Sequence, residues 1–284
     1  MKDLDLKKEV IIADGAMGTR LMELEVDLRE ISSELLNIKN PKLIEKIHRE
    51  YLEAGADLIL SNTFMCNIIN EKRNNYNLEE VIESGLNIAK KAVKDKGLVA
   101  LDIGPISYYI EEKDSYFKEI VCENTERIIN ASKDKFDLLI FETLGSVKEG
   151  EFAVKKAKTL TDKKIICSFT LAYKKDIPNF IKNMVSTLEP LGVDALGINC
   201  TGYEEILMAL DILKENTNLP IMIKANLGIP KKVGEEFIYD KTLEEFKNLS
   251  KRALEKGVNI IGGCCGTTPE YIRAICNLKY SIKE

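Results

Sequence analysis

Ile260-Ile261-Gly262-Gly263-Cys264-Cys265-Gly266-Thr267-Thr268-Pro269-Glu270 is the stretch from which the chain is read outward. An apolar run from Val258 to Ile261 meets glycines, two adjacent cysteines and a helix start, so the stretch reads as strand, turn and helix. Thr268 before Pro269 makes a suitable N-cap and first helical residue, and Thr267 with Glu270 fits a capping box one register earlier. The cysteines therefore fall at the carboxyl end of a strand. Vicinal residues of an extended chain point to opposite faces, so both thiols serve one site only if the backbone bends, which Gly263 and Gly266 permit. A bound metal ion would impose that bend.

Seven comparable runs precede this one, at 10–14, 57–64, 98–105, 137–143, 164–171, 195–200 and 220–228, with the closing run at 259–266. Each is short, β-branched and mostly continuously apolar. Between them lie helix-length segments of helical period, such as Leu43-Ile44-Ile47-Tyr51-Leu52 and Ile206-Leu207-Leu210-Leu213. Continuous apolar strands alternating with helices imply parallel strands covered on both faces, and eight such units predict a closed (β/α)8 TIM barrel of the α/β class. With no Ser/Pro/Gly-rich linker, residues 1–284 are read as a single domain. The connection from Gly15 to Pro41 is long for a βα loop, which marks it as a functional segment over the barrel mouth.

Barrel sites are assembled at the carboxyl ends of the strands. Those ends carry Asp14, Asn62-Thr63, Asp102, Glu142-Thr143, Thr170, Asn199-Cys200, Asn226 and Cys264-Cys265. Three cysteines thus surround one cavity, and three thiolates can hold one zinc ion with a fourth position open. Buried thiols and a vicinal disulfide remain alternatives, because no CxxC pair is present. Gly262-Gly263 could also cradle a phosphate after the last strand, though adjacent thiols gain nothing from one. Taken alone, Asp14-Gly15 reads as a turn, and Asp102 and Asn62 as supports.

The net charge of -5 over 284 residues, with Lys and Glu spread along amphipathic segments, argues against a nucleic-acid or anionic-membrane partner. No apolar stretch approaches the roughly 20 residues of a membrane span, and the polar start Met1-Lys2-Asp3-Leu4-Asp5 is unlike a signal peptide, so the expected location is cytoplasmic. Seven cysteines in such a chain point to metal binding or thiol chemistry rather than a disulfide framework. Cys66, Cys122, Cys167 and Cys276 have no motif-like setting and are expected to be small buried apolar residues. His48, the one histidine, lies on the segment Pro41 to Ala54, away from the strand ends, and is expected to be structural. No Ser-His-Asp arrangement, Rossmann fingerprint or P-loop is present.

Asp14-Gly15-Ala16-Met17-Gly18-Thr19, Ser61-Asn62-Thr63-Phe64, Asp102-Ile103-Gly104-Pro105, Phe141-Glu142-Thr143, Ala195-Leu196-Gly197-Ile198-Asn199-Cys200 and Gly262-Gly263-Cys264-Cys265-Gly266-Thr267-Thr268-Pro269 together resemble the zinc-dependent homocysteine S-methyltransferase family. The similarity covers nearly the whole chain and is greatest to the homocysteine-binding module of cobalamin-dependent methionine synthase. The resemblance implies zinc on Cys200, Cys264 and Cys265, with the homocysteine sulfur in the fourth position. It implies that Asp14 and Glu142 receive the homocysteine ammonium and that backbone N–H groups of Gly15, Ala16 and Met17 hold its carboxylate. Thr143, Asn199 and Asn226 complete the expected substrate site, Asn226 capping the metal when substrate is absent. The implied product is methionine, and the implied donor is a methyl-corrinoid on a separate protein, with S-methylmethionine, S-adenosylmethionine or betaine as alternatives. Two departures bear on the mouth: the short segment 172–178 after strand five, and Ala225-Asn226-Leu227-Gly228, where Leu227 is expected to crowd the pocket. A redox or zinc-storage thiol protein is the rival class, but it has no use for Asp14 and Glu142.

Overall fold

The computed structural model describes residues 4–228, 231–233 and 236–281, so Met1–Asp3 and the outer bounds of the expected domain lie outside it. Its strands are β1 (Ile11–Ile12), β2 (Leu58–Leu60), β3 (Leu98–Ile103), β4 (Leu138–Leu144), β5 (Lys164–Phe169), β6 (Ala195–Asn199), β7 (Ile221–Ala225), the antiparallel pair β8 (Lys231–Val233) and β9 (Glu236–Ile238), and β10 (Ile260–Gly263). Eight of these form a parallel sheet in the order β1-β10-β7-β6-β5-β4-β3-β2. A parallel bridge between Ala13 and Leu58 closes the ring, supported by Asp14 N–H donating to Leu58 O at 3.0 Å and Asp57 N–H to Ile12 O at 2.7 Å. This is the predicted (β/α)8 barrel. The β8–β9 hairpin was not anticipated; it lies beyond Gly228, where the reading of strand seven stopped.

Side chains alternate across a strand, so each barrel strand feeds two cores. Odd-numbered β3 residues such as Val99 and Leu101, with Leu139 and Ile165, pack outward under the helices. The alternate residues Leu58, Ala100, Ile140, Ile166, Met222 and Ile260 meet in the lumen as a separate apolar cluster. One step further along the same register the lumen turns polar: Asp102 follows Ala100, Glu142 follows Ile140, Ser168 follows Ile166 and Lys224 follows Met222. All four are buried. An apolar plug thus supports a polar floor at the carboxyl ends of the strands.

The helix Pro41–Glu53 starts on Asn40, whose side chain accepts from Leu43 N–H, and buries Ile44, Ile47, His48 and Tyr51 at helical spacing. His48 is therefore on the core face, as expected. The long connection after β1 contains a helix at Met17–Glu23, a turn at Ser33–Leu35 and a short helix at Leu36–Lys39. Asn62 ties it to β2: its Nδ2 donates to Ser33 O at 2.7 Å and to Asn37 Oδ1 at 3.0 Å, and Asn37 Nδ2 donates back to Asn62 O at 2.9 Å. Cys66 and Cys167 are buried as expected, whereas Cys122 and Cys276 are half-buried on the helical layer, a correction to the expectation for all four. Among the described residues no helix is long and apolar enough to cross a membrane.

Candidate functional site

The cavity at the mouth has a volume of about 310 Å³, and Asp14, Asp102, Tyr108, Glu142, Lys224 and the thiols of Cys200, Cys264 and Cys265 face it. The three sulfurs lie within 4.8 Å of one another, with Cys200 and Cys265 3.9 Å apart. Thiolates about 2.3 Å from a tetrahedral metal sit about 3.8 Å from each other, so the spacing fits a single ion. No disulfide joins Cys264 to Cys265. The chemistry of the donor set agrees with the geometry: hydrogen bonds from the thiols of Cys264 and Cys265 bring Cys200 down to about 3, and donating those bonds holds Cys264 up at about 12 and Cys265 higher still. Releasing the two remaining thiol protons would bring three negative sulfurs this close together, an arrangement that needs a cation among them.

Local backbone conformation aims the thiols. Cys200 has φ +52°, unusual for a residue with a side chain, and the bend turns it off the end of β6 into the mouth. Asn226 joins the two cysteine-bearing turns, with Nδ2 3.7 Å from Cys200 Sγ and Oδ1 accepting from Cys265 N–H at 3.0 Å. Beyond Cys265 the chain folds back at Gly266 with φ +88°, where the Tyr239 ring would lie 2.8 Å from any Cβ. Thr267 does not form the expected capping box. Its hydroxyl donates to Cys264 O at 2.7 Å and accepts from Ala16 N–H at 3.2 Å, while Pro269 opens the last helix as expected.

The expected substrate residues divide into two groups. Asp14, Gly15, Ala16, Met17, Glu142 and Thr143 line the cavity. Asn199 is fully buried and acts through Thr143: its Oδ1 accepts from Thr143 N–H at 3.0 Å, its Nδ2 donates to Thr143 Oγ1 at 2.5 Å, and Ser168 donates to the same Oδ1 at 2.6 Å. That clamp holds Thr143 at φ +60°. Ala16 N–H is spent on Thr267, so of the three N–H groups expected to hold a carboxylate this one is engaged inside the chain. Leu227 does not crowd the pocket. It is 3% exposed and packs in the outer core with Ala225, a correction explained by the turn that sends its side chain away from the mouth.

Lys224 is the residue that sequence reasoning missed. Its Nζ lies 2.9 Å from Glu142 Oε1 and 3.5 Å from Asp14 Oδ1, inside the barrel. Asp14 Oδ2 also accepts from Leu60 N–H at 2.9 Å. Burial pushes Asp14 up to about 6 against the pull of Lys224, and pushes Glu142 upward in the same way. Burial alone would depress Lys224, but Glu142 and Asp14 hold it above its usual value. Asp102 is raised by burial and by Glu142, and its Oδ1 has no hydrogen-bond partner among the described residues. The signal for Lys224 was present: a lysine at lumen parity within an otherwise apolar strand, Ile221-Met222-Ile223-Lys224-Ala225.

Fold and site together define a (β/α)8 barrel enzyme class with three convergent thiols, spaced as a metal ion would need them, beside a buried cluster of carboxylates. The model of the homocysteine S-methyltransferase family matches residues 11–278, and the chain belongs to that family. It is 29% identical to methionine synthase of Mycobacterium leprae across 95% of its own length, which is 24% of that protein, so it spans about a quarter of that relative. Homocysteine S-methyltransferase YbgG of Bacillus subtilis is 27% identical, with 96% of each chain covered. The metallated form of the homocysteine methyltransferase MmuM from Escherichia coli superposes with a TM-score of 0.80 at 24% identity, covering 95% of this chain and 96% of that one.

Proposed function

We propose that the chain transfers a methyl group to the thiol of homocysteine, giving methionine, with zinc held by Cys200, Cys264 and Cys265. The observation that carries this reading is the convergence of those three thiols beside Asp14 and Glu142 in one cavity. When bound, zinc keeps an acceptor sulfur in the thiolate form near neutral pH, and three sulfur ligands leave a fourth position for it.

The chain's own residues orient the reaction. Asn226 fixes the two cysteine turns relative to each other, and Thr143, braced by Asn199, shapes the wall opposite them. Gly15, Ala16 and Met17 line the side from which the acceptor's carboxylate is reached, and Asp14 and Glu142 set the charge at its amino-acid end. The acceptor thiolate forms the carbon–sulfur bond as the bond from donor to methyl breaks, the donor keeping that electron pair. The donor we assign is a methyl-corrinoid on a separate protein, supported by the likeness to a segment of methionine synthase. Tyr108 and Tyr173, both exposed on loops after β3 and β5, leave the rim open to such a partner. We assign the reaction to the cytoplasm, a reading supported by seven cysteines with no disulfide among the described residues.

The test is methionine formation by the zinc-loaded chain from homocysteine and, in separate reactions, methylcobalamin, a methyl-corrinoid protein, S-methylmethionine, S-adenosylmethionine and betaine. Product from the corrinoid donors supports the assignment. Product from S-methylmethionine, S-adenosylmethionine or betaine alone overturns the donor, and no product from any donor overturns the acceptor.

A further inference from the structure

Lys224 has no task in the reaction as proposed. It sits on β7 in register with Asn199 of β6 and Gly262 of β10, and its side chain crosses the lumen to the far wall. There its ammonium meets Glu142 and Asp14, with the three side chains only 4%, 10% and 6% exposed. These are the two carboxylates that the family resemblance gives to the acceptor's ammonium. An ammonium is therefore already seated between them, supplied by the chain itself. Withdrawing it would strand a buried charge, and leaving it in place confronts an incoming ammonium with a like charge and partly spent acceptors. A lysine ammonium has three donors, and two are accounted for by Glu142 and Asp14. Among the described residues no further acceptor is bonded to it, which leaves the third to face an acceptor's carboxylate.

We propose that Lys224 is a specificity-determining residue that occupies the ammonium seat, so that this chain recognises its acceptor as a thiol carboxylate and draws little selectivity from the α-amino group. The inference rests on the reading that the acceptor sulfur sits at the three cysteines, but it concerns the opposite end of the molecule. A site whose buried acceptors are satisfied only by the substrate's own N–H groups rejects an analogue lacking them by about 10,000-fold. A site already satisfied by Lys224 has lost that lever.

The test is calorimetric titration of the zinc-loaded full chain with homocysteine and with 4-mercaptobutanoate, which keeps the thiol and carboxylate and lacks the amine. The expected dissociation constants differ by less than about a hundredfold, and a larger preference for homocysteine overturns the proposal while leaving the homocysteine reading intact. Binding of 4-mercaptobutanoate without homocysteine supports the proposal and removes homocysteine as the acceptor. Binding of neither overturns both. Lys224→Met, which vacates the seat, should widen the preference for homocysteine by at least about tenfold relative to the native chain, and an unchanged or narrowed preference counts against the proposal. Lys224→Gln serves if the methionine variant fails to fold, and the native comparison needs no variant.

Discussion

His48 gives a prediction whose size follows from the structure. It is fully buried on the helix Pro41–Glu53, and neither ring nitrogen has a hydrogen-bond partner among the described residues. Burial lowers it from 6.5 to about 4, so the folded state excludes a proton that the unfolded state accepts. As pH falls below 6.5 the unfolded chain takes up that proton first, and stability is lost until the folded group titrates near 4; above 6.5 nothing is lost. Linkage between those two values gives about 2 kcal/mol lost from pH 7.5 to pH 5. For a chain of 284 residues this is about 3 °C in Tm. Asp14, Asp102 and Glu142, whose folded values are raised, act in the opposite sense on acidification, but they are common to native and variant proteins. The quantity to follow is therefore the difference in Tm between the native chain and His48→Leu across pH 7.5 to 5. The variant should be at least as stable at pH 7.5, because it removes two unsatisfied nitrogens, and its advantage should grow by about 3 °C at pH 5. A difference that stays constant across the range would refute a neutral, unpartnered His48.

Cys200→Ala, Cys264→Ala and Cys265→Ala should each lose stoichiometric zinc, read by elemental analysis, while far-ultraviolet circular dichroism keeps its barrel spectrum; full metal retention in one variant removes that residue from the ligand set. Asn226→Ala leaves Cys265 N–H without its acceptor and Cys200 Sγ without its amide donor, so zinc affinity should fall by roughly 10- to 100-fold in a chelator competition. Unchanged affinity would show that the cysteine turns hold themselves. Gly266→Ala adds a Cβ where φ is +88° and the Tyr239 ring stands at 2.8 Å, and should cost about 1–3 kcal/mol in denaturant unfolding. A neutral result would mean that Tyr239 gives way freely.

The barrel was legible because its signal is repeated: eight apolar runs, each followed by a helical period, leave little freedom of topology once parallel strands must be covered on both faces. The site was legible where the rule for strand ends could be applied residue by residue, which placed Asp14, Glu142, Cys200, Cys264 and Cys265 around one cavity. What escaped depends on backbone angles and on partners distant in sequence. Cys200 at φ +52° and Thr143 at φ +60° carry no composition mark, since glycine would be the expected residue at such angles. Asn199 was placed among substrate contacts because its strand ends there, but a side chain one residue before the bend stays inside the wall and braces Thr143. Leu227 was judged by its neighbours in a motif, whereas the turn after β7 decided its direction.

Lys224 shows why the polar floor needed the structure. A lysine in an apolar strand is a costly placement unless charges wait for it, and the compensating charges come from β4 and from the end of β1, 82 and 210 residues away. Read along the chain, Asp14 and Glu142 look like two free anions prepared for a substrate. Read across the lumen, they are two members of a three-residue cluster whose cation is already present. Adding Lys224 therefore changes what the acids do more than it changes how many there are. The thiol end of the site is left as the family resemblance implies, and selectivity at the other end passes from the acids to the lysine between them.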